Sequence, residues 1–169
     1  MGGFVGVSHI GLDVDELDRS ERFYTEALGG TVLWRIEGGT PHIDVAIGEH
    51  GFTIFQGQRG EGALSARTVP RSTHFALRAR AEDVDEILDR LRRHGVEVDG
   101  PIAHRIEGDP PYSFSWYFED PDGYRLEFDV RYEDLAFARR ELDRLGGRIG
   151  GAPRRSIGQH RPARSNHER

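Results

Sequence analysis

An internal repeat constrains this chain more than any other feature of its sequence. Ser8-His9-Ile10-Gly11-Leu12 overlays Thr73-His74-Phe75-Ala76-Leu77 at an offset of 65 residues, and the same offset carries Gly30 onto Gly95. Self-similarity of this kind marks two copies of one supersecondary unit, each too small to bury its apolar face alone. The copies must share a core, and equivalent positions must be related by a pseudo-twofold axis.

Each copy reads as a strand, a helix and three more strands. In the first, residues 5–14 are an apolar-rich strand, and a helix beginning at Asp15 places Leu17, Phe23, Tyr24, Ala27 and Leu28 on one face. Gly29-Gly30 ends that helix. Strands at 31–36, 43–47 and 52–56 follow, separated by Gly38-Gly39-Thr40-Pro41 and Gly48-Glu49-His50-Gly51. Residues 58–71, with Gly60, Gly62 and Pro70, read as a linker. In the second copy a helix over 81–94 turns Val84, Ile87, Leu88 and Leu91 inward and stops at Gly95. Strands at 96–98, 112–119 and 124–130 complete it. The expected architecture is α+β: two βαβββ modules, 4–57 and 72–131, forming a curved mixed sheet within one domain over 1–146. A C-terminal helix over 133–146 would pack through Leu135, Ala138, Leu142 and Leu145, and the Arg-rich segment 147–169 reads as a disordered tail.

Composition removes several kinds of chemistry. Cysteine is absent, so disulfides, thiolate nucleophiles and Cys-based metal sites are excluded, and any metal must sit on His and carboxylates. All 23 basic residues are arginine, which rules out a Schiff-base lysine or an ammonium anchor. The net charge is −6; the tail after Gly146 carries six Arg against Glu168, leaving −11 on the rest, and an acidic body points away from nucleic acid. No run approaches roughly 18 apolar residues, and no basic-then-apolar leader opens the chain, so the expectation is a cytoplasmic protein without a membrane span.

The chemistry concentrates on the last hairpin. Asp120-Pro121-Asp122-Gly123 reads as a turn between aromatic arms, because Pro fixes φ and Gly tolerates a positive one. On the second arm, alternation puts Arg125, Glu127 and Asp129 on one face and Leu126, Phe128 and Val130 on the other. A lone His in an apolar strand is usually a packed core residue. Here His9 and His74 occupy equivalent positions in the two first strands, Glu127 arrives on the last strand, and a buried carboxylate without a cation is costly. Two imidazoles and one carboxylate form a three-point set for a divalent metal with coordination positions left open; Fe(II) is favoured, with Mn(II), Zn(II) or Ni(II) acceptable. Aligning Gly51 with Gly123 carries Glu127 onto Phe55, an apolar slot, unless a one-residue slip puts Gln56 there. His42, His50, His94 and His104 fall in turn or helix-end contexts, and His160 and His167 in the tail.

Over residues 4–146 these features resemble the vicinal oxygen chelate superfamily: paired βαβββ modules, two strand histidines, and Asp120-Pro121-Asp122-Gly123 followed by Glu127. That superfamily includes glyoxalase I, extradiol dioxygenases, fosfomycin-resistance thiol transferases and bleomycin-resistance proteins. The resemblance implies a curved sheet around a divalent metal and a small-molecule substrate that chelates through adjacent oxygens. Tyr117, ten residues before Glu127, stands where both the extradiol and the fosfomycin enzymes carry a site tyrosine. An extradiol enzyme needs a further acid/base histidine where this chain has Gly108, a role His104 could fill. The fosfomycin reading finds Glu107-Gly108-Asp109 and Arg139 or Arg140 in its favour, and Gly11 and the missing lysine against it. Glyoxalase I has four protein ligands, and purely binding members lack the metal set.

The expected function is therefore a metal-dependent enzyme, with extradiol-type ring cleavage leading. The alternatives are a fosfomycin-type thiol transferase, a glyoxalase-like lyase, and a non-catalytic antibiotic-binding protein. Trp34, Phe55 and Trp116, with Tyr117, would line an aromatic pocket. The superfamily's habit of pairing chains implies a homodimer in which His9 of one subunit meets His74 and Glu127 of the other.

Overall fold

The computed structural model describes residues 6–57, 72–104, 113–131, 140, 141 and 143. The first module runs β1 (His9–Val14), α1 (Leu17–Arg22), β2 (Thr31–Ile36), β3 (His42–Ile47) and β4 (His50–Gln56). The second runs β5 (Phe75–Arg78), α2 (Val84–Arg93), β6 (Asp99–His104), β7 (Ser113–Glu119) and β8 (Arg125–Arg131). The expected mixed sheet is two sheets, each of four strands, ordered β1-β4-β3-β2 and β5-β8-β7-β6. In each, the first and last strands pair in parallel and the remaining pairs are antiparallel.

Helix α1 forms because its apolar residues recur on one face, with Leu17, Ser20, Phe23, Tyr24 and Ala27 all buried. It continues past Arg22 into a π-helical turn, Phe23–Ala27, closed by Leu28 N–H donating to Phe23 C=O at 3.1 Å. Gly29 then takes φ 78° and ends it. At Gly30 a Cβ would stand 2.6 Å from both Tyr24 C=O and Val45 Cγ1, so only glycine lets the chain enter β2 here. Helix α2 buries Val84, Leu88 and Leu91, preceded by a 3₁₀ turn at Ala81–Asp83.

The two modules share one core, as the repeat requires. Phe52 of β4 meets Phe75 of β5 edge to face at 6.3 Å, and Tyr24 of the first module and Leu126 of the second belong to the same buried cluster. Arg90 of α2 reaches across to the end of the first helix and donates to Ala27 C=O at 3.0 Å and Leu28 C=O at 3.3 Å. Those carbonyls are left without intrahelical partners where the helix stops.

Several boundaries differ from expectation. The first strand begins at His9, with residues 6–8 outside it. Residues 96–98 are not a strand: Val96 N–H turns back to Leu91 C=O at 3.0 Å, which keeps this stretch in the helix exit, and pairing with β7 starts only at Asp99. The strand that follows extends to His104, placing that residue in a ladder opposite Ser113 instead of a loop. His42 and His50 open β3 and β4 and are not turn residues. The linker 58–71 and the tail 147–169 lie outside the described residues, as does the expected stripe Leu135, Ala138, Leu142 and Leu145; Arg140, Glu141 and Asp143 are helical.

Candidate metal centre

Glu127 sits in the middle of β8, opposite Ala76 of β5 and Tyr117 of β7. Although its face of β8 carries charges, the residue is buried, 7% exposed. Ser115 Oγ donates to Oε1 at 2.5 Å, and His74 Nε2 lies 2.8 Å from Oε2. Both carboxylate oxygens are thereby engaged, which is how a buried carboxylate is made tolerable.

The His74 ring is oriented from its other nitrogen. Nδ1 lies 3.0 Å from Ser72 C=O, an acceptor, so Nδ1 must carry the proton in that contact. A neutral ring then presents a lone pair at Nε2 directly toward Glu127 Oε2. Two acceptors at 2.8 Å need a proton or a cation between them. A backbone carbonyl behind the imidazole and a hydroxyl behind the carboxylate is also how metal ligands are held in orientation. The donor set therefore fits a divalent metal as far as it goes.

Among the described residues it goes to two side chains. His9 is exposed, and among the described residues its side chain bonds to its neighbour alone, with Ser8 Oγ 2.9 Å from Nδ1. Among the described residues no group of three or more His, Asp or Glu side chains is arranged to hold a metal ion. The chain brings His74 and Glu127 together and leaves His9 apart.

Tyr117 stands beside the pair. Its ring packs edge-on against His74 at 5.8 Å, and its hydroxyl lies 3.4 Å from His104 Nε2. Burial, and then the nearby Glu127 carboxylate, push the phenol up to about 12, so Tyr117 is a proton donor at neutral pH. Arg125 lays its guanidinium carbon 4.6 Å from the centre of the same ring.

Among the described residues of one chain, the expected pocket aromatics lie on different surfaces. Trp116 alternates with Tyr117, faces the core and is 2% exposed, stacked on Phe128 at 4.8 Å; it is a packing residue. Trp34 is 62% exposed on β2, and Phe55 packs against His42 at 5.2 Å, both on the first module's sheet. Phe55 is also not the counterpart of Glu127. Gly11 pairs with Thr53 and the equivalent Ala76 pairs with Glu127, so the matching residue is Thr53. The error comes from turn length: β3 and β4 are joined by Gly48-Glu49, whereas β7 and β8 are joined by the longer Asp120–Tyr124 loop, which displaces any alignment made on turn glycines.

Sequence reasoning missed Ser115 and Arg125 as neighbours of the site. Alternation with Tyr117 and Glu127 was the available signal, since all four side chains point to one face.

The family model described as Glyoxalase/Bleomycin resistance protein/Dioxygenase superfamily matches residues 6–128, and the chain belongs to that superfamily. Among curated relatives, a fosfomycin resistance protein FosX from Listeria monocytogenes is 28% identical over 127 residues, 72% of this chain and 86% of the relative. The metallothiol transferase FosB of Lysinibacillus sphaericus is 27% identical over 130 residues, 72% of this chain and 79% of its own length. Among solved structures, a glyoxylase/bleomycin resistance protein/dioxygenase domain from Frankia superposes with a TM-score of 0.66 at 26% identity, covering 81% of this chain and 99% of that one. The FosX of Listeria monocytogenes, complexed with Mn(II) and sulfate, superposes with a TM-score of 0.58 at 21% identity, covering 78% and 96%.

Proposed function

We propose that this protein is a divalent-metal-dependent enzyme of the fosfomycin-modifying type, acting on a small substrate bound at His74 and Glu127. The observation that carries the reading is the His74–Glu127 contact, oriented from behind by Ser72 and Ser115 and flanked by a protonated Tyr117. FosX and FosB among the curated relatives weigh toward this chemistry and away from the ring cleavage that the sequence put first.

His74 and Glu127 would hold the metal together with the partner subunit's His9. Within one chain His9 stands apart, which favours a homodimer with shared sites. The metal would supply Lewis acidity toward a substrate oxygen. Tyr117 is placed to donate a hydrogen bond to that oxygen or pass it a proton. Mn(II) leads over Fe(II) for this chemistry, because a FosX neighbour was crystallised with Mn(II) and 1S,2S-dihydroxypropylphosphonic acid, a diol of the kind that water opening of an epoxide yields.

The test is incubation of the Mn²⁺-loaded protein with fosfomycin, with and without a thiol, followed by ³¹P NMR. A diol signal in both samples identifies hydration, a thioether signal in the second alone identifies transfer, and unchanged fosfomycin in both sinks the reading. Mixing His9→Ala with Glu127→Ala subunits should restore about one site per heterodimer if the sites are shared.

One observation favours a second reading. His104 lies 3.4 Å from the Tyr117 hydroxyl, where an extradiol acid/base histidine could work. A catechol with Fe²⁺ and O₂, followed for a yellow ring-fission product, separates the two.

A further inference from the structure

Arg125 lies on this face of the sheet, and the site as described leaves it unused. It lies on the same face of β8 as Glu127, two residues before it, and is half-buried. Extending the parallel register of β5 and β8 back from Ala76 opposite Glu127 brings Arg125 opposite His74. A guanidinium so placed should find a carboxylate. Its antiparallel partner across the ladder is Glu119, and Glu127 is its neighbour along the strand, yet among the described residues its one recorded contact is the ring of Tyr117. Glu127 turns its oxygens to Ser115 and His74, with no ion pair to Arg125 among the described residues. The stack on Tyr117 holds the guanidinium plane in place and leaves its N–H fork unspent.

This arrangement has an electrostatic consequence. A fixed positive charge beside a pair of metal ligands works against cation binding, and in a half-buried setting the repulsion is poorly screened. The conflict is resolved when the bound small molecule carries negative charge, because an anion between the guanidinium and the metal ligands is attracted by both. Arginine is suited to the task through its planar fork, which matches two oxygens of a phosphonate, phosphate or carboxylate. The chain contains no lysine that could do it instead.

We propose that Arg125, seated on the ring of Tyr117 beside His74 and Glu127, is the anchor for an oxyanion group on the substrate and selects anionic substrates over neutral ones. The inference deepens the reading of His74 and Glu127 as metal ligands and rests on it for the position of the reacting end. The anchor itself can be tested without that reading.

The probe is methylphosphonate, titrated by calorimetry into wild-type protein, Arg125→Met and Arg125→Lys, each with and without Mn²⁺. Mn²⁺ affinity is measured separately from the electron paramagnetic resonance signal of the free ion. Arg125→Met keeps most of the apolar stem and should weaken methylphosphonate binding roughly tenfold or more, with Mn²⁺ affinity unchanged or improved. Arg125→Lys should recover part of the loss. Equal methylphosphonate affinity in wild type and Arg125→Met, or no binding to wild type under either condition, overturns the anchor. Failure of wild type to bind Mn²⁺ while Arg125→Met still loses methylphosphonate overturns the metal reading and leaves the anchor standing.

Discussion

The two modules have the same strand order and both pair their first and last strands in parallel, yet among the described residues it is the second that assembles a polar site. In the second, β8 offers Glu127 to His74, and β7 brings Ser115 and Tyr117 alongside. In the first, the matching place on β4 is Thr53, and the residue across from it on β3 is Asp44, the register counterpart of Tyr117. Asp44 Oδ1 is buried without a hydrogen-bond partner among the described residues, and His9 stays exposed. The hairpin turns differ too. Gly48-Glu49 closes the first tightly, whereas the longer second turn docks on the other module: Tyr24 donates its hydroxyl to Asp120 Oδ2 at 3.0 Å, and Asp122 takes Asp15 N–H at 2.9 Å and Arg19 at 2.8 Å. The second copy brings His74 and Glu127 together, and the first braces its hairpin turn.

The largest effect should separate the two tryptophans. Trp116→Ala removes a buried, stacked ring from the second module and should cost about 3–5 kcal/mol, whereas Trp34→Ala on the exposed edge of the first should stay within about 0.5 kcal/mol. Urea unfolding of both variants measures the difference, and equal losses would mean that Trp34 is covered in solution. Next come the register counterparts. Glu127→Gln should lower Mn²⁺ affinity roughly a hundredfold and Thr53→Ala less than twofold, read by calorimetry; similar losses would break the asymmetry between modules.

A comparable effect, spread over pH, concerns the longer turn of the second module. Burial raises the Asp120 carboxyl from 3.8 to about 6, the hydrogen bonds from Tyr24, Asp122 and Tyr124 offsetting part of the rise. The folded chain thus holds this proton more tightly than the unfolded chain does. As pH climbs from about 4 to about 6 the unfolded state loses its proton first, and stability from this group falls by up to about 3 kcal/mol. Asp120→Asn should remove that slope, giving a flatter dependence of unfolding free energy between pH 4 and 7. An unchanged slope would show that another group carries it.

Much of this was readable without coordinates. The repeat located both first strands and both helices, and the glycines after each helix marked its end, because helix termination is a local matter of backbone conformation. Glu127, His74 and Tyr117 were legible as neighbours because they sit at matched points of one repeat unit. Trp116 is a core residue, and its alternation with Tyr117 places it on the other face. Residues 96–98 carry a strand-like alternation, yet the helix exit still holds the Val96 N–H.

What the sequence determined by itself was the inventory: two βαβββ units, no cysteine or lysine, and a set of two histidines and a carboxylate. Tertiary structure decided which members meet. Register across β5, β8 and β7 put Ser115 on Oε1 and His74 on Oε2 and made Thr53 the silent counterpart, since pairing across strands depends on turn length and ladder registration that no local signal encodes. It also left His9 exposed on the first module's sheet, outside that pair.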